Sequence, residues 1–436
     1  MSNWPFRFLH ASDFHLERAP SGLDEVPDHL RSLLLDAPYE AARRVFDVAC
    51  NEEVEFVVLA GDLLDPQGTG PRGPLFLVEQ FQRLADRNIA VYWVGGEVDP
   101  PDAWPNWLPL PPNVHVFPCG QPVQWVHRRN GVTVAQLSGT SGNRGPTPKG
   151  DSPRPTSGWC PAETKIGTVP CRSIDAAGFH ADPSGLFSIA VVCGTTEAAA
   201  LQSRGFHYWA LGGAHGRSTL SSAPQVAHYP GSPQGRNPGE SGAHGCTLVQ
   251  VDQECRARTS MAPTDVLRWL NERVALDAAT TRHDLDQRLR QHMESLIESA
   301  PDMPLLLSWT VAGAGPLLEE LRSSAAAGDL LTWLRNEYGF GQPARWSLSL
   351  DVEPAAAPPA EWYEEETIRG DFLRAVRYCQ MNPDEPLDLD DYLDPQQTAG
   401  PAATTVGMAP GAARDQVLRD AAFLGAELLT GEDRRP

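Results

Sequence analysis

Apolar residues in the first hundred positions come in short runs, each ending in glycine or polar residues. "FRFLHASDFH" (Phe6–His15) reads as a buried strand closing on a polar loop. "EFVVLAGDLLD" (Glu55–Asp65) and "IAVYWVGGEVD" (Ile89–Asp99) repeat the form, each finishing in acids. Between them, "YEAARRVFDVACNEEV" (Tyr39–Val54) and "GPLFLVEQFQRLADRN" (Gly73–Asn88) carry apolar positions at helical spacing. Strands alternating with helices predict an α/β layered fold built on a central sheet. The polar residues then stand just past the carboxyl ends of strands, where open α/β sheets place ligands.

Further strands are predicted in "NVHVFP", "PVQWVHRRNGVTVAQLSG", "FSIAVVCG", "HYWALGG" and "GCTLVQVD". Residues 143–169 are rich in Pro, Gly, Ser and Thr, which predicts a long flexible surface insertion. After about Asp252 the pattern changes. "PTDVLRWLNERVAL" (Pro263–Leu276) and "TRHDLDQRLRQHMESLIES" (Thr281–Ser299) read as helices. "PLLLSWTVAGAGPLLEELRSSAAAGDLLTWLRNEY" mixes a strand with two helices, and "RWSLSLDVEP" reads as a strand. A Pro/Ala linker (Glu353–Trp362), a helix in "ETIRGDFLRAVRYCQMN", a disordered stretch and an amphipathic helix in "RDQVLRDAAFLGAELLTGE" follow. This predicts three parts: a first domain over 1–255, a small α+β domain over 256–352, and a linker with a helical tail over 353–436.

Composition narrows the function classes. With 436 residues and 41% hydrophobic content, the chain can bury a sizeable core. No apolar run reaches 18 residues, so no transmembrane helix is expected. "MSNWPFRFLHASD" has neither a basic n-region nor an apolar h-region, so no secretory signal is expected. Eight cysteines are scattered without a CxxC pair, which suits a reducing cytoplasm better than a disulfide framework. The formal charge is −21: residues 1–255 hold 18 basic and 26 acidic side chains, and 256–436 hold 17 and 30. Phosphate contacts need Lys or Arg, so this balance argues against a tight stand-alone DNA binder.

Three short motifs carry candidate chemistry. Asp13-Phe14-His15 delivers an acid and an imidazole two residues apart on one side of an extended chain. Gly61-Asp62 offers a carboxylate that can bridge two cations. His215 follows a strand end in "YWALGGAHGRSTL". Singly, each has a plain structural reading: a surface histidine, a turn, a loop histidine. Their order and their placement at strand ends are far more specific together.

Together they resemble the calcineurin-like metallophosphoesterase family, and more narrowly the SbcD/YhaO-type DNA-repair exonucleases. The resemblance spans Phe6 to about Asp252, helped by "DPPDAWPNWLPLPPNVHVF" and "YPGSPQGRNPGESGAHGCTLVQVD". It implies a four-layer sandwich of mixed sheets flanked by helices, with residues after 256 as the capping domain. In the family, one metal is held by the positions here occupied by Asp13, His15, Asp62 and His215, and all four ligand types are present. The second metal shares Asp62, but its Asn position is Glu97, its lone His position is Cys193, and the first His of G-H-x-H is Gly213. The family's catalytic His is Val98, which leaves no catalytic residue to assign.

Half of the implied site is therefore intact. Glu97 and Cys193 are themselves competent ligands, so a remodelled second site stays open beside plainer roles as a solvated loop acid and a small buried thiol. Asp65 and Asp99 are expected to support the loops by hydrogen bonds. Arg217 is read as a phosphate contact or a surface arginine, Arg236 as a DNA contact or a salt-bridging residue, and His10 as strand packing. Trp93, Trp104, Trp107 and Trp209 are read as core or loop-packing residues. The implied cofactor is a divalent metal, manganese foremost with magnesium, zinc or iron as alternatives, and one ion rather than two. Implied partners are DNA, an SbcC-like coiled-coil ATPase docking on the C-terminal helix, and a second copy of the chain. An active enzyme with a rebuilt second site and a non-catalytic interaction module are the competing readings.

Overall fold

The computed structural model describes residues 4–23, 27–142 without 67, 173–181 without 175 and 177, 185–353 without 314 and 323, 358–382 without 359, and 412–430. The insertion expected at 143–169 lies outside the described residues, as does most of the two Pro/Ala-rich segments of the tail.

The first part is a sandwich of two mixed sheets. Sheet one has the order β12-β11-β1-β2-β3-β4, with β1 at Phe6–Ala11, β2 at Phe56–Ala60, β3 at Ala90–Val94, β4 at Val114–Phe117, β11 at Gly245–Val251 and β12 at Ala257–Pro263. β1 to β4 run parallel; β11 pairs antiparallel with both β1 and β12. Sheet two has the order β5-β6-β7-β8-β10-β9: β5 at Val123–Arg129, β6 at Val132–Gly139, β7 at Phe187–Cys193, β8 at Tyr208–Gly212, β9 at Ser218–Ser221 and β10 at Val226–Tyr229. Its centre, β6-β7-β8-β10, is parallel, and hairpin-like antiparallel pairs close both edges.

Strand alternation explains the layering. Phe8, Phe56, Val58 and Tyr92 on one face of sheet one meet Leu137, Phe187, Ile189 and Tyr208 of sheet two, and all are buried. On the opposite face, Leu9, Val57, Leu59 and Trp93 are covered by α1 (Asp28–Asn51) and α2 (Arg72–Ala85) through Val45, Phe46, Leu77 and Phe81. The outer face of sheet two buries Val192, Trp209 and Leu211 under Phe179, Phe206 and Leu201, the last from the short α3 (Ala198–Gln202). This is the layered α/β sandwich expected from the sequence, two mixed sheets flanked by helices. Helix α1 starts eleven residues before the predicted Tyr39 and runs through Pro38, at the cost of one backbone hydrogen bond.

Beyond the sandwich, β13 (Arg268–Leu276), β14 (Leu305–Gly313) and β15 (Arg345–Val352) form a three-stranded sheet in that order. Between them in sequence lie α4 (Arg282–Ser299), α5 (Pro316–Leu321) and α6 (Ser324–Tyr338). The helix predicted over Pro263–Leu276 is instead β13. Its inward row is Leu270, Glu272, Val274 and Leu276, with Asn271, Arg273 and Ala275 exposed. Glu272 broke the apolar alternation in the sequence, and His292 Nε2 satisfies it at 2.7 Å.

The chain divides into two compact units: Met1–Glu272 with Arg290–Trp309 and Gly328–Leu350, and Arg273–Leu289 with Thr310–Ala327 and Asp351–Pro436. In the second unit α7 (Ala360–Glu364) precedes α8 (Ile368–Met381), and α8 packs Leu373 and Val376 on Leu418, Ala422 and Ala426 of α9 (Ala412–Thr430). No helix among the described residues is long and apolar enough to cross a membrane.

Candidate metal centre

The site is built where β1, β2, β3, β7 and β8 end. The loop after β1 is zipped to the loop after β2: the amides of Asp13, His15 and Leu16 donate to the carbonyls of Gly61, Asp62 and Leu63, each at 3.0 Å. Asp13, His15 and Asp62 have φ of +58°, +42° and +56°. L-residues rarely adopt this left-handed conformation, and it concentrates at functional sites. Gly61 permits the convergence, because a Cβ there would stand 2.8 Å from Cys193 Cβ and Sγ.

One half of the site is tightly assembled. Ligand atoms of Asp13, His15 and His215 lie within 4.8 Å of one another, and the two imidazole rings are 5.2 Å apart. Each histidine is held from behind by a carboxylate: His15 Nδ1 lies 3.3 Å from Glu17 Oε1, and His215 Nδ1 lies 2.9 Å from Glu240 Oε1. With the proton on Nδ1, each Nε2 carries a lone pair toward the cluster; this carboxylate–histidine pairing is the usual support of metal-ligating imidazoles. Burial, and next the charge of Arg236, hold His15 well below its ordinary pKa, so it is neutral.

The donor set fits a divalent cation. Asp13 is buried, its Oδ2 accepts from Ser12 Oγ at 2.5 Å and Gly213 N at 3.0 Å, and its Oδ1 has no hydrogen-bond partner. That orphaned oxygen faces His15 Nε2 at 4.0 Å, so two lone pairs confront each other. A buried polar atom left so is costly, and a cation between the two supplies the missing partner. Burial, then the charge of Asp62, push the Asp13 carboxyl up to about 6 despite the Ser12, His215 and Gly213 contacts that favour its ionised form. Imidazole nitrogen with carboxylate oxygen suits manganese, iron or zinc.

Asp62 stands outside this tight trio. Its Oδ2 accepts from Cys193 Sγ at 3.5 Å and its Oδ1 from Val98 N at 3.4 Å. Its charge still reaches both Asp13 and His15.

The other half is differently made. At the first His position of the family's G-H-x-H motif, Gly213 offers only a backbone N–H, which donates to Asp13. Cys193 ends β7 with its thiol toward Asp62, while Glu97 and Val98 are half-buried in the loop after β3. Neither Glu97 nor Cys193 joins a metal-sized cluster of ligand atoms among the described residues. Asp99, fully enclosed, clamps two loops: Oδ1 accepts from Asp62 N at 3.0 Å and Gly96 N at 2.6 Å, and Oδ2 from Leu63 N at 3.0 Å. Burial, then the Asp62 charge, raise Asp99 to about 7 against those three bonds. Asp65 is buried; its N–H donates to Glu17 Oε2 at 2.9 Å and its carbonyl accepts from Gly68 and Thr69.

The remaining candidates are placed as follows. Arg217 turns inward, donating to Thr247 Oγ1, which also meets His228. His10 is fully buried against Tyr208 OH at 3.0 Å. Arg236 is 4% exposed. Trp93 and Trp209 are in the core, Trp104 packs on Trp93, and Trp107 is exposed. Glu17 and Glu240 escaped the sequence reading. Glu17 lies two residues past His15, a spacing that could have flagged it. Glu240 is 25 positions from His215, and only the folded loop brings them together.

Comparison with known proteins agrees with this geometry. Residues 6–170 match the calcineurin-like phosphoesterase family, and this part of the chain is a metallophosphoesterase domain of that class. Among curated relatives, the uncharacterized metallophosphoesterase YhaO of Bacillus subtilis is 28% identical over 354 residues, covering 79% of this chain and 81% of that protein. The DNA double-strand break repair protein Mre11 of Sulfolobus acidocaldarius is 30% identical over 95 residues, 22% of this chain and 23% of its own length. These similarities are consistent with the SbcD/YhaO type of the class.

Proposed function

We propose that this chain is a one-metal, catalytically impaired member of the DNA-repair exonuclease branch of the metallophosphoesterases, acting with a coiled-coil ATPase of the SbcC type. The observation that carries the reading is the asymmetry about Asp62: Asp13, His15 and His215 converge with both imidazoles oriented, while the opposite half presents Gly213, Val98, Glu97 and Cys193. Asp13, His15, His215 and Asp62 would hold the ion, with manganese the expected occupant. Such an ion polarises a phosphoryl oxygen and makes a bound water more acidic.

The chain's own residues decide how far the chemistry goes. Glu17 and Glu240 hold the histidines in the ligating tautomer. Asp99 fixes the backbone of Asp62. Val98 puts an aliphatic side chain where the family places its catalytic histidine, so no proton reaches a leaving oxygen from that position. General acid–base assistance is worth about 10²–10⁴-fold. The acidic balance of the chain makes DNA contact dependent on a partner. Exposed Leu424 and Leu428, one turn apart on α9, support an apolar docking patch for it. The test is turnover of linear DNA and of bis-p-nitrophenyl phosphate by the Mn²⁺-loaded chain: the reading expects at most marginal, Asp62-dependent hydrolysis. The second reading, a rebuilt two-metal enzyme, draws on the Cys193–Asp62 contact and expects robust turnover that falls in Cys193→Ala.

A further inference from the structure

We infer that Arg236 is a positioning residue of the metal half-site, the buried counter-ion of Glu240, the carboxylate that orients His215. The inference rests on the metal reading above. Arg236 lies in the loop between β10 and β11, and that loop folds around Glu240. The Arg236 amide donates to Glu240 Oε2 at 3.0 Å, Asn237 Nδ2 donates to Oε1 at 3.1 Å, and Arg236 Nε stands 3.7 Å from Oε2. The Arg236 carbonyl accepts from Ser21 N at 2.8 Å, tying this loop to the segment after β1. The guanidinium charge also acts on Glu17, Asp13 and His15. One buried cation thus sits behind the Glu240–His215 pair.

Both Nη atoms are buried and have no hydrogen-bond partner. A guanidinium with free donors beside a phosphoesterase centre invites a second reading, as the anchor of a substrate phosphate. Two observations decide against it. The Nη atoms are closed off from solvent, so an anion cannot reach them without rearrangement. The neighbourhood already holds Asp13, Glu17, Asp62 and Glu240 against Arg236 and the partly exposed Arg18, which repels an incoming anion. A buried arginine among clustered carboxylates instead keeps them charged and in place.

The test measures Mn²⁺ affinity of the full chain by titration calorimetry, with melting temperature as a control for folding. In Arg236→Met, affinity is expected to fall about 10–100-fold, the usual cost of losing support behind a ligand. Arg236→Lys, which keeps the charge, is expected to recover most of it. If Arg236 acts through Glu240, Arg236→Met/Glu240→Gln loses no more than the worse single variant. Should Arg236→Met fail to fold, Arg236→Gln, which also removes the charge, gives the same comparison alone and combined with Glu240→Gln. Unchanged Mn²⁺ affinity in a folded Arg236→Met, or fully additive losses, would overturn the inference. Loss of inorganic phosphate binding with Mn²⁺ binding intact would assign Arg236 to the anchor role instead. A wild-type chain that binds no Mn²⁺ would sink the metal reading itself, and this inference with it.

Discussion

The two halves of the site flanking Asp62 invite direct comparison, because both are built where parallel strands end: one after β1 and β8, the other after β3, β7 and β8. In one half each imidazole has a carboxylate behind it, the backbone is held in left-handed turns, and a buried carboxylate oxygen stands 4.0 Å from an imidazole nitrogen. In the other, the family's ligand positions are a glycine, a half-buried acid and a thiol, and its catalytic position is a valine. Yet the frame of that second half is intact: Asp99 still clamps Asp62, Leu63 and Gly96, and Gly61 still makes room for Cys193. On the proposed one-metal reading, the scaffold of a two-metal centre outlasts the ligands of one metal. Sheet pairing and the Asp99 clamp hold the loops for reasons of stability, whereas the ligands answer only to chemistry.

That difference can be attacked from both sides. The largest expected effect comes from restoring the second half. Glu97→Asn, Val98→His, Cys193→His and Gly213→His together should add a second metal and raise phosphodiester turnover at least about 10²-fold, the lower range of acid–base assistance. The Gly213 change carries a cost of about 1 kcal/mol, because its φ is +93°. No gain in turnover would mean that the frame has been lost along with the ligands.

Next in size is Asp13→Asn, which should abolish tight metal binding. The same change should stabilise the metal-free chain, and the sign follows from linkage. The folded carboxyl titrates at about 6 against an ordinary 3.8, so its penalty is absent below pH 4, grows as pH rises, and is complete above pH 6. Melting of the metal-free proteins should show Asp13→Asn more stable by about 3 kcal/mol at pH 7.5 and close to wild type at pH 3.5, using 1.36 kcal/mol per pKa unit. A destabilised variant at pH 7.5 would contradict the account of Asp13.

Asp99→Ala should cost about 2–4 kcal/mol in melting experiments, since three buried amides lose their acceptor. Glu17→Gln or Glu240→Gln should weaken Mn²⁺ binding about 10-fold or more with little change in fold. Smallest of all, Glu97→Gln and Cys193→Ala should leave Mn²⁺ affinity within about twofold; a large loss in either would restore the rebuilt second site as the better reading.

The strands carrying the site were legible because each is an apolar run buried on both faces and closed by glycine or polar residues, as in Phe56–Asp62 and Val91–Asp99. Asp13, His15 and His215 were legible by order and by position at strand ends. What the sequence hid was support gathered from a distance. Glu240 reaches His215 only through the folded loop after β10, and Arg236, read from the sequence as a DNA contact or a salt-bridging residue, is buried by that same loop. Strand β13 was hidden for a related reason: its inward Glu272 is polar, and its partner His292 is 20 residues away on α4. Strands β9, at the edge of sheet two, and β10 beside it also went unread: each has four residues, and β9 is the polar Ser218–Ser221.

The most direct measurement is metal stoichiometry of the full chain by plasma mass spectrometry after equilibration with Mn²⁺ and, separately, with Zn²⁺. The account predicts one ion per chain, lost in Asp13→Asn and retained in Cys193→Ala. Two ions per chain, with hydrolysis that vanishes in Asp62→Asn, would contradict it.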